Sequence, residues 1–335
     1  MIHLLLYSFS VTLLSLMAII LFERKYGFFL DPGTSERPQH YHTSPTPRAG
    51  GIGILLGMGF YLSTSLGVTL AVPLLLSFFS GILEDYHRAL SPKTRLLLQT
   101  IAALSAIWLT GSVVTYLGLG IMMPYWLGIL FSTFAIVGMM NAVNIIDGFN
   151  GLASSVVLLI LLSFGLTAYS NHNTDMLQII VITVGAILGF LVLNFPTGKI
   201  FLGDGGAYLL GFIVAIIGIF LASKYESVSP WYIMALFIYP VWEVLFSIFR
   251  KLCSGLSPME PDAYHFHMLV YRQLSHNNPK TTLYILGLIL PFITLSTLYP
   301  NKSNLNMIIS LGFIVTYTLL YRYLYRQDTA GRTTS

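Results

Sequence analysis

The run GAYLLGFIVAIIGIFLA, residues 206–222, carries no charged side chain. As a helix it is long enough to cross about 30 Å of hydrocarbon. Immediately before it stands Phe201-Leu202-Gly203-Asp204-Gly205, an acid set among glycines. A membrane-length apolar run with polar chemistry at its mouth recurs through the chain. Comparable runs lie near residues 2–22, 49–66, 68–83, 96–111, 124–141, 152–169, 177–193, 231–249, 282–299 and 305–325. Together they predict an all-α polytopic bundle of about eleven transmembrane helices. Ten remain an alternative, because the second and third runs nearly touch at Ser65-Leu66-Gly67.

Composition agrees. Of 335 residues, 55% are hydrophobic and only 9% charged, with a mean hydropathy of +0.76. That is too few ionisable groups to cover a soluble globule of this length. No polar segment is long enough to form a separate domain, so residues 1–326 read as one transmembrane domain and 327–335 as a flexible tail. The first run lacks a basic leader region and is followed by Arg24 and Lys25, so it reads as a retained helix, not a cleaved signal. Lys and Arg are dispersed over short loops, without the clustered face that nucleic-acid binding requires. Cys253 is the single cysteine and cannot form an intramolecular disulfide.

The basic residues also predict orientation, because cytoplasmic loops retain Lys and Arg. With the N-terminus outside, fifteen of the seventeen fall on the cytoplasmic side, and only Lys224 and Lys302 fall outside. The C-terminus is then cytoplasmic and the protein a multi-pass protein of the inner (cytoplasmic) membrane. Most of the thirteen acids share that side. Asp175 and Glu226 do not, and Glu243 lies inside the ninth apolar run.

Five inner loops concentrate the useful side chains. The first ends in His42-Thr43-Ser44-Pro45-Thr46-Pro47-Arg48-Ala49-Gly50-Gly51. Its prolines stiffen the chain, and glycine amides beside Arg48 suit phosphate, although the same residues also read as a stiff turn with an interfacial anchor. The second loop begins Glu84-Asp85 and ends with Lys93 and Arg95. Adjacent acids at a helix C-terminus oppose both each other and the helix dipole, so a cation or shared proton is expected nearby. In the third loop Asn141, Asn144 and Asp147 recur every three residues, making a polar stripe suited to metal or nucleotide. Asparagines on such a stripe can also bond helix to helix. The Asp147-Gly148 and Asn150-Gly151 turns that follow favour a loop entering a cavity. In the fourth, Asp204 can approach hydrated Mg²⁺ while neighbouring amides face phosphate, or simply cap the helix. The fifth holds His265-Phe266-His267 and Arg272. In an extended stretch both imidazoles share one face, fit for sugar hydroxyls, phosphate or metal. Zinc is disfavoured, since no third ligand stands at close spacing.

Taken in order, these motifs closely resemble the polyprenyl-phosphate N-acetylhexosamine-1-phosphate transferases, from His42 to about Arg272. The resemblance rests on Pro45-Thr-Pro-Arg-x-Gly-Gly, Glu84-Asp85 with Lys93-x-Arg95, Asn141-x-x-Asn144-x-x-Asp147-Gly-x-Asn150-Gly-Leu, Phe201-Leu-Gly-Asp204 and His265-x-His267. It implies transfer of N-acetylhexosamine-1-phosphate from a UDP-sugar to polyprenyl phosphate, with UMP released. It further implies Mg²⁺, for which Mn²⁺ can substitute, and is compatible with a homodimer. Asp204 with Asn144 would hold the metal; Asn141, Asn150 and Asp147 would meet the nucleotide. Arg48, Lys93 and Arg95 would neutralise phosphate. Glu84, Asp85 and Asp147 would be the catalytic carboxylates, and His265, His267 and Arg272 would meet the sugar.

Two positions depart from the commonest family pattern, which has Asp where this chain has Glu84 and Asn150. Glu84 keeps the charge on a longer arm; Asn150 loses it and reads as a hydrogen-bonding group. The fifth loop also lacks the triple histidine of the phospho-N-acetylmuramoyl-pentapeptide branch. That favours a simpler N-acetylhexosamine and a surface polysaccharide. A transporter would instead place its ionisable groups and helix breaks near mid-membrane. A CDP-alcohol transferase would need an Ala-Arg pair that residues 147–152 lack.

Overall fold

A computed structural model describes residues 1–31, 45–87, 90–257 and 262–333. Of the residues singled out above, His42 to Ser44 lie outside them. The described chain is helical almost throughout: α1 (Ile2–Tyr26), α2 (Gly50–Gly57), α3 (Ser65–His87), α4 (Pro92–Thr110), α5 (Tyr125–Ile146), α6 (Leu152–Ser170) and α7 (Thr174–Asn194). There follow α8 (Gly203–Lys224), α9 (Pro230–Leu236), α10 (Ile238–Cys253), α11 (Phe266–Val270), α12 (Asn278–Leu298) and α13 (Ser303–Thr333). A two-residue antiparallel ladder joins β1 (Leu30–Asp31) to β2 (Thr46–Pro47).

The bundle is organised around α8. Its sequence is apolar on every face, and nearly every residue from Gly203 to Leu221 is buried, as expected of a helix with neighbours all round. Glycines set the approach. A Cβ on Gly81 of α3 would lie 2.4 Å from the Asp204 carbonyl carbon, and one on Gly211 would lie 2.6 Å from the Met140 Cα of α5. Lipid gives little hydrophobic drive between helices, so such close backbone contact supplies the packing. α1 is peripheral. It buries Ser8, Thr12 and Leu16, one stripe at four-residue spacing, and Ser8 donates to the Ile182 carbonyl of α7 at 2.7 Å. Outward-facing side chains such as Trp108 and Phe134 are 81% and 74% exposed, which in a bilayer means exposed to lipid.

All eleven apolar runs are helical, but they do not all qualify as full spans. Among the described residues, eight helices are long and apolar enough to cross a membrane, and the α9–α10 pair makes a ninth if counted as one bent span. The run expected at 231–249 breaks by 74° between those two helices. Pro240 supplies a physical reason: it has no N–H for the Leu236 carbonyl and its ring crowds the preceding turn. The run at 49–66 becomes α2 and a 3₁₀ turn, Met58–Ser63, a short apolar helix. α4 carries Lys93, Arg95 and Gln99 in its first turns and falls outside the eight. The tail expected from Gln327 is instead the last part of α13, continuous to Thr333. Asp328 holds it in place with a side chain only 4% exposed, bonded to Arg272.

Candidate active site

The helix ends explain why the motifs meet. α3 finishes at the acidic pair, α4 starts with Arg95, α5 finishes with Asn141 and Asn144, and α8 starts at Gly203-Asp204. Contacts between these ends gather them at one end of the bundle.

Asp204 is the hub. Its Oδ1 accepts from Arg48 Nη2 and Asn144 Nδ2, each at 3.1 Å, and its Oδ2 accepts from Arg95 Nη1 at 3.3 Å. The side chain keeps 15% exposure. Asp85 is the clasp beneath it. Only 1% exposed, its carboxylate accepts the amides of Asp204 and Gly205 at 3.0 and 2.9 Å and lies 3.3 Å from Arg48 Nε. An acid from α3 therefore neutralises the N-terminal amides of α8, where the helix dipole favours negative charge. Asp147 caps the C-terminus of α5, half-buried. Burial pushes its carboxyl up to about 7; Arg48 opposes the shift, while Asp204 and Asp85 add to it. Three carboxylates thus face two guanidiniums, a balance that accommodates a further cation.

Two expectations about backbone amides are corrected. The Gly50 and Gly51 amides do not stand open for phosphate: they donate to the Phe201 and Leu202 carbonyls at 2.8 and 2.9 Å. The amides of Asp204 and Gly205 are likewise taken by Asp85. Phosphate recognition at this end therefore falls to side chains, because the amides are used to zip the first loop to the fourth.

The remaining candidates divide. Glu84 is half-buried, and its Oε2 is buried with no hydrogen-bond partner. Lys93 is exposed in the first turn of α4. Asn141 donates to Gln99 Oε1 and to the Val137 carbonyl, both at 2.8 Å. Asn150 braces the third loop: its side chain donates to the Pro196 carbonyl at 2.9 Å, its amide donates to Asn278 Oδ1 at 2.8 Å, and its carbonyl accepts from Thr282 at 2.8 Å. Arg272 reaches Asp328 of α13 at 2.9 Å and the Ala263 carbonyl at 2.6 Å, so the structure does not bring it into the Asp204 cluster.

The histidines sit differently from an extended stretch. His265 precedes α11 and His267 lies in its first turn, yet the two rings stack in parallel, 5.5 Å apart. His267 is fully buried, packs edge-on against Phe149 at 5.7 Å, and has hydrogen-bond partners on neither nitrogen. A Cβ on Gly148 would lie 3.1 Å from its Nε2. Burial pulls its pKa down to about 4, an effect of the dry slot that Glu243 only partly opposes. The fifth loop is thereby seated on the third, next to Asp147.

Two supporting residues have no role assigned from sequence, Gln99 and the Asn194 of the fourth loop. Gln99 is 1% exposed and orients Asn141; Asn194 accepts from the Gly151 amide at 2.5 Å and donates to the Ile200 carbonyl at 2.7 Å, tying the third loop to the fourth. The signal for them was their position: polar side chains at the ends of apolar runs.

The donor set tests whether a metal belongs here. Among the described residues no three His, Cys, Asp or Glu side chains converge to hold one by themselves. Mg²⁺ does not require that; it is commonly held through one or two carboxylates plus substrate phosphates. Asp204 offers hard carboxylate oxygens of that kind, Asn144 stands against it with its NH₂ donating to Oδ1 at 3.1 Å and would turn its amide over to add an oxygen, and the surplus of carboxylates fits the added charge.

Hard oxygen donors and two arginines, at the mouth of an apolar helical bundle, define a membrane protein suited to a phosphorylated ligand. The glycosyl transferase family 4 model matches residues 67–222, a stretch that includes Glu84, Asp85, Asn144, Asp147 and Asp204. Over these residues the chain is similar to this family, and its motifs resemble those of the polyprenyl-phosphate N-acetylhexosamine-1-phosphate transferases. A probable undecaprenyl-phosphate N-acetylglucosaminyl 1-phosphate transferase of Bacillus subtilis is 27% identical over 297 residues, 84% of this chain and 82% of the relative. A phospho-N-acetylmuramoyl-pentapeptide-transferase of Streptococcus pneumoniae is 27% identical over 319 residues, 87% of this chain and 96% of the relative. One of the same name from Streptococcus agalactiae is 28% identical over 305 residues.

Proposed function

We propose that this protein transfers N-acetylhexosamine-1-phosphate from a UDP-sugar to undecaprenyl or another polyprenyl phosphate, an early membrane step of cell-envelope polysaccharide synthesis. The observation that carries the reading is the gathering of Asp85, Asp147, Asp204, Arg48 and Arg95 at one end of the apolar bundle. There a soluble dianionic donor and a lipid phosphate can meet. An oxygen of the acceptor phosphate attacks the phosphorus that bears the sugar. The bond to the uridylyl phosphate breaks, and UMP leaves with the electron pair.

Mg²⁺, with Mn²⁺ as substitute, would neutralise the donor diphosphate and the charge that grows on UMP. Asp204 and Asn144 are the residues to hold it. Arg48 and Arg95, already poised on Asp204, are available to phosphate oxygens as bidentate donors, and Lys93 adds charge at the rim. Asp147, raised to about 7 by burial, is matched to accept a proton near neutral pH, with Glu84, whose buried Oε2 has no hydrogen-bond partner, as the second carboxylate. Asp85 acts by holding the Asp204 turn. Asn141, and Asn150 through the loop it braces, would serve the nucleotide, and His265, backed by the buried His267, would meet the sugar.

The same reading sets the protein in the cytoplasmic membrane, with the site end facing the cytoplasm and α2 and α4 completing eleven passes. It is supported by the basic residues, which follow the helix ends that carry Arg48, Arg95, Arg250 and Arg272.

The relatives include phospho-N-acetylmuramoyl-pentapeptide-transferases at similar identity, so the muramoyl-pentapeptide donor is the second reading. The test offers purified protein a panel of UDP-N-acetylhexosamines and UDP-N-acetylmuramoyl-pentapeptide with polyprenyl phosphate, identifying the lipid by mass spectrometry. The expected product is a polyprenyl diphosphate N-acetylhexosamine that disappears with EDTA. A muramoyl-pentapeptide product alone would replace the first reading with the second, and no lipid product from any donor would overturn both.

A further inference from the structure

Glu243 lies in α10, outside the Asp204 cluster, with 1% of its surface exposed. A carboxylate this dry costs several kcal/mol unless both oxygens are hydrogen-bonded. Here Oε1 lies 3.0 Å from His265 Nδ1 and accepts from the Phe266 amide at 3.0 Å, and Oε2 accepts from the Tyr317 hydroxyl of α13 at 2.9 Å. One side chain therefore ties α10, the fifth loop and the last helix together. Its contact with His265 also carries chemical information. An ionised carboxylate only accepts, so this contact requires the proton on Nδ1 and leaves Nε2 as the nitrogen that faces away from Glu243. His265 in turn stacks on His267, which is wedged against Gly148 and Phe149 beside Asp147.

We propose that Glu243 is a positioning residue for transfer: it fixes the Nδ1–H form of His265 and anchors the loop at Phe266, so that the His265 ring, backed by the buried His267, is presented in one register to the donor. The contact of a carboxylate with the far nitrogen of a working histidine orients the ring and raises its basicity, as it does behind metal-bound histidines. This rests on the reading of the site as a sugar-phosphate transferase.

The test has two arms that fail separately. In the first, ¹⁵N-histidine NMR of the whole protein in nanodiscs reads the His265 tautomer, with the signal assigned by its loss in His265→Gln. The expected result is a protonated Nδ1 in the wild type and a mixed population in Glu243→Gln. A proton resting on Nε2 in the wild type overturns the proposal without any need for the glutamate variant to fold. In the second, UMP release is measured in a double-mutant cycle. Glu243→Gln is expected to lower kcat/KM by about 10- to 100-fold in the native background, and by less than about twofold once His265 is Gln. Equal penalties in both backgrounds would show a merely structural role and overturn it. If the wild type turns over no UDP-sugar, the transferase reading falls, and the tautomer still decides what Glu243 does to His265.

Discussion

Asp204 and Asp85 stand one contact apart and should respond differently to substitution. Asp204 is partly open and shared among Arg48, Asn144 and Arg95, so Asp204→Ala should leave folding nearly unchanged. Its UMP release should fall by about 10²- to 10³-fold, the usual scale for losing an electrostatic group at a reacting centre. Asp85 is buried, with both oxygens engaged by amides. Asn there offers one acceptor and sets an NH₂ against an N–H, so Asp85→Asn should cost about 1–3 kcal/mol of stability as well as activity. Thermal denaturation of the two variants separates these outcomes. His267 gives a pH test. Its pKa falls from 6.5 to about 4 on folding, so between those values the unfolded chain binds a proton that the folded one does not. Stability from this group is complete above pH 6.5 and is lost as the pH falls through about 4. Melting temperature should therefore decline over that window less steeply in His267→Asn than in the wild type. The identity of the cluster residues was legible in the sequence because Asp204, Asp85, Asn144 and Arg95 stand at the ends of apolar runs. Their division of labour was not legible. Asp85 and Asn150 carry the residue types of ligands, and only the fold shows one clasping the start of α8 and the other bracing Pro196.

Among elements, the crossing of α3 on α8 places the two acids that matter most. Gly81→Val would force a branched side chain to within about 2.4 Å of the Asp204 backbone. The helices must then part, at a cost of about 1–3 kcal/mol, and activity should fall with the melting temperature. α13 is the second such element. Asp328 receives Arg272 and Gln273, and Tyr321 donates to the Tyr264 carbonyl at 2.9 Å, so the end of the last helix clamps the histidine loop. Removing the clamp in Asp328→Ala should speed amide exchange across Tyr264–Gln273 by about tenfold, equivalent to about 1.4 kcal/mol of local stability. Unchanged exchange would show that Glu243 holds the loop alone. The apolar runs mark the long helices, but neither α11, which reads as an extended stretch in the sequence, nor this clamp: a polar stretch after Gln327 looks like a tail until Arg272, 56 residues away, is seen to fold back on it. The bend before Pro240 was equally hidden, because a hydropathy window averages across a break that one missing N–H creates.

At the scale of the whole molecule, antiparallel traversal brings the ends of α3, α5 and α7 and the starts of α4, α6 and α8 to one boundary. The sequence indicated this through its Lys and Arg asymmetry. The structure adds that the backbone amides at that boundary are consumed in joining loops, which leaves substrate recognition to side chains. The proposed reaction requires that this boundary couple a nucleotide sugar to a lipid phosphate. The most direct measurement is UMP release by the protein in nanodiscs, with a UDP-N-acetylhexosamine and Mg²⁺, with and without polyprenyl phosphate. The predicted result is one UMP for each polyprenyl diphosphate sugar formed, dependent on the lipid phosphate, stopped by EDTA and lost in Asp204→Ala. UMP release that ignores the lipid phosphate, or that persists unchanged in Asp204→Ala, would contradict it.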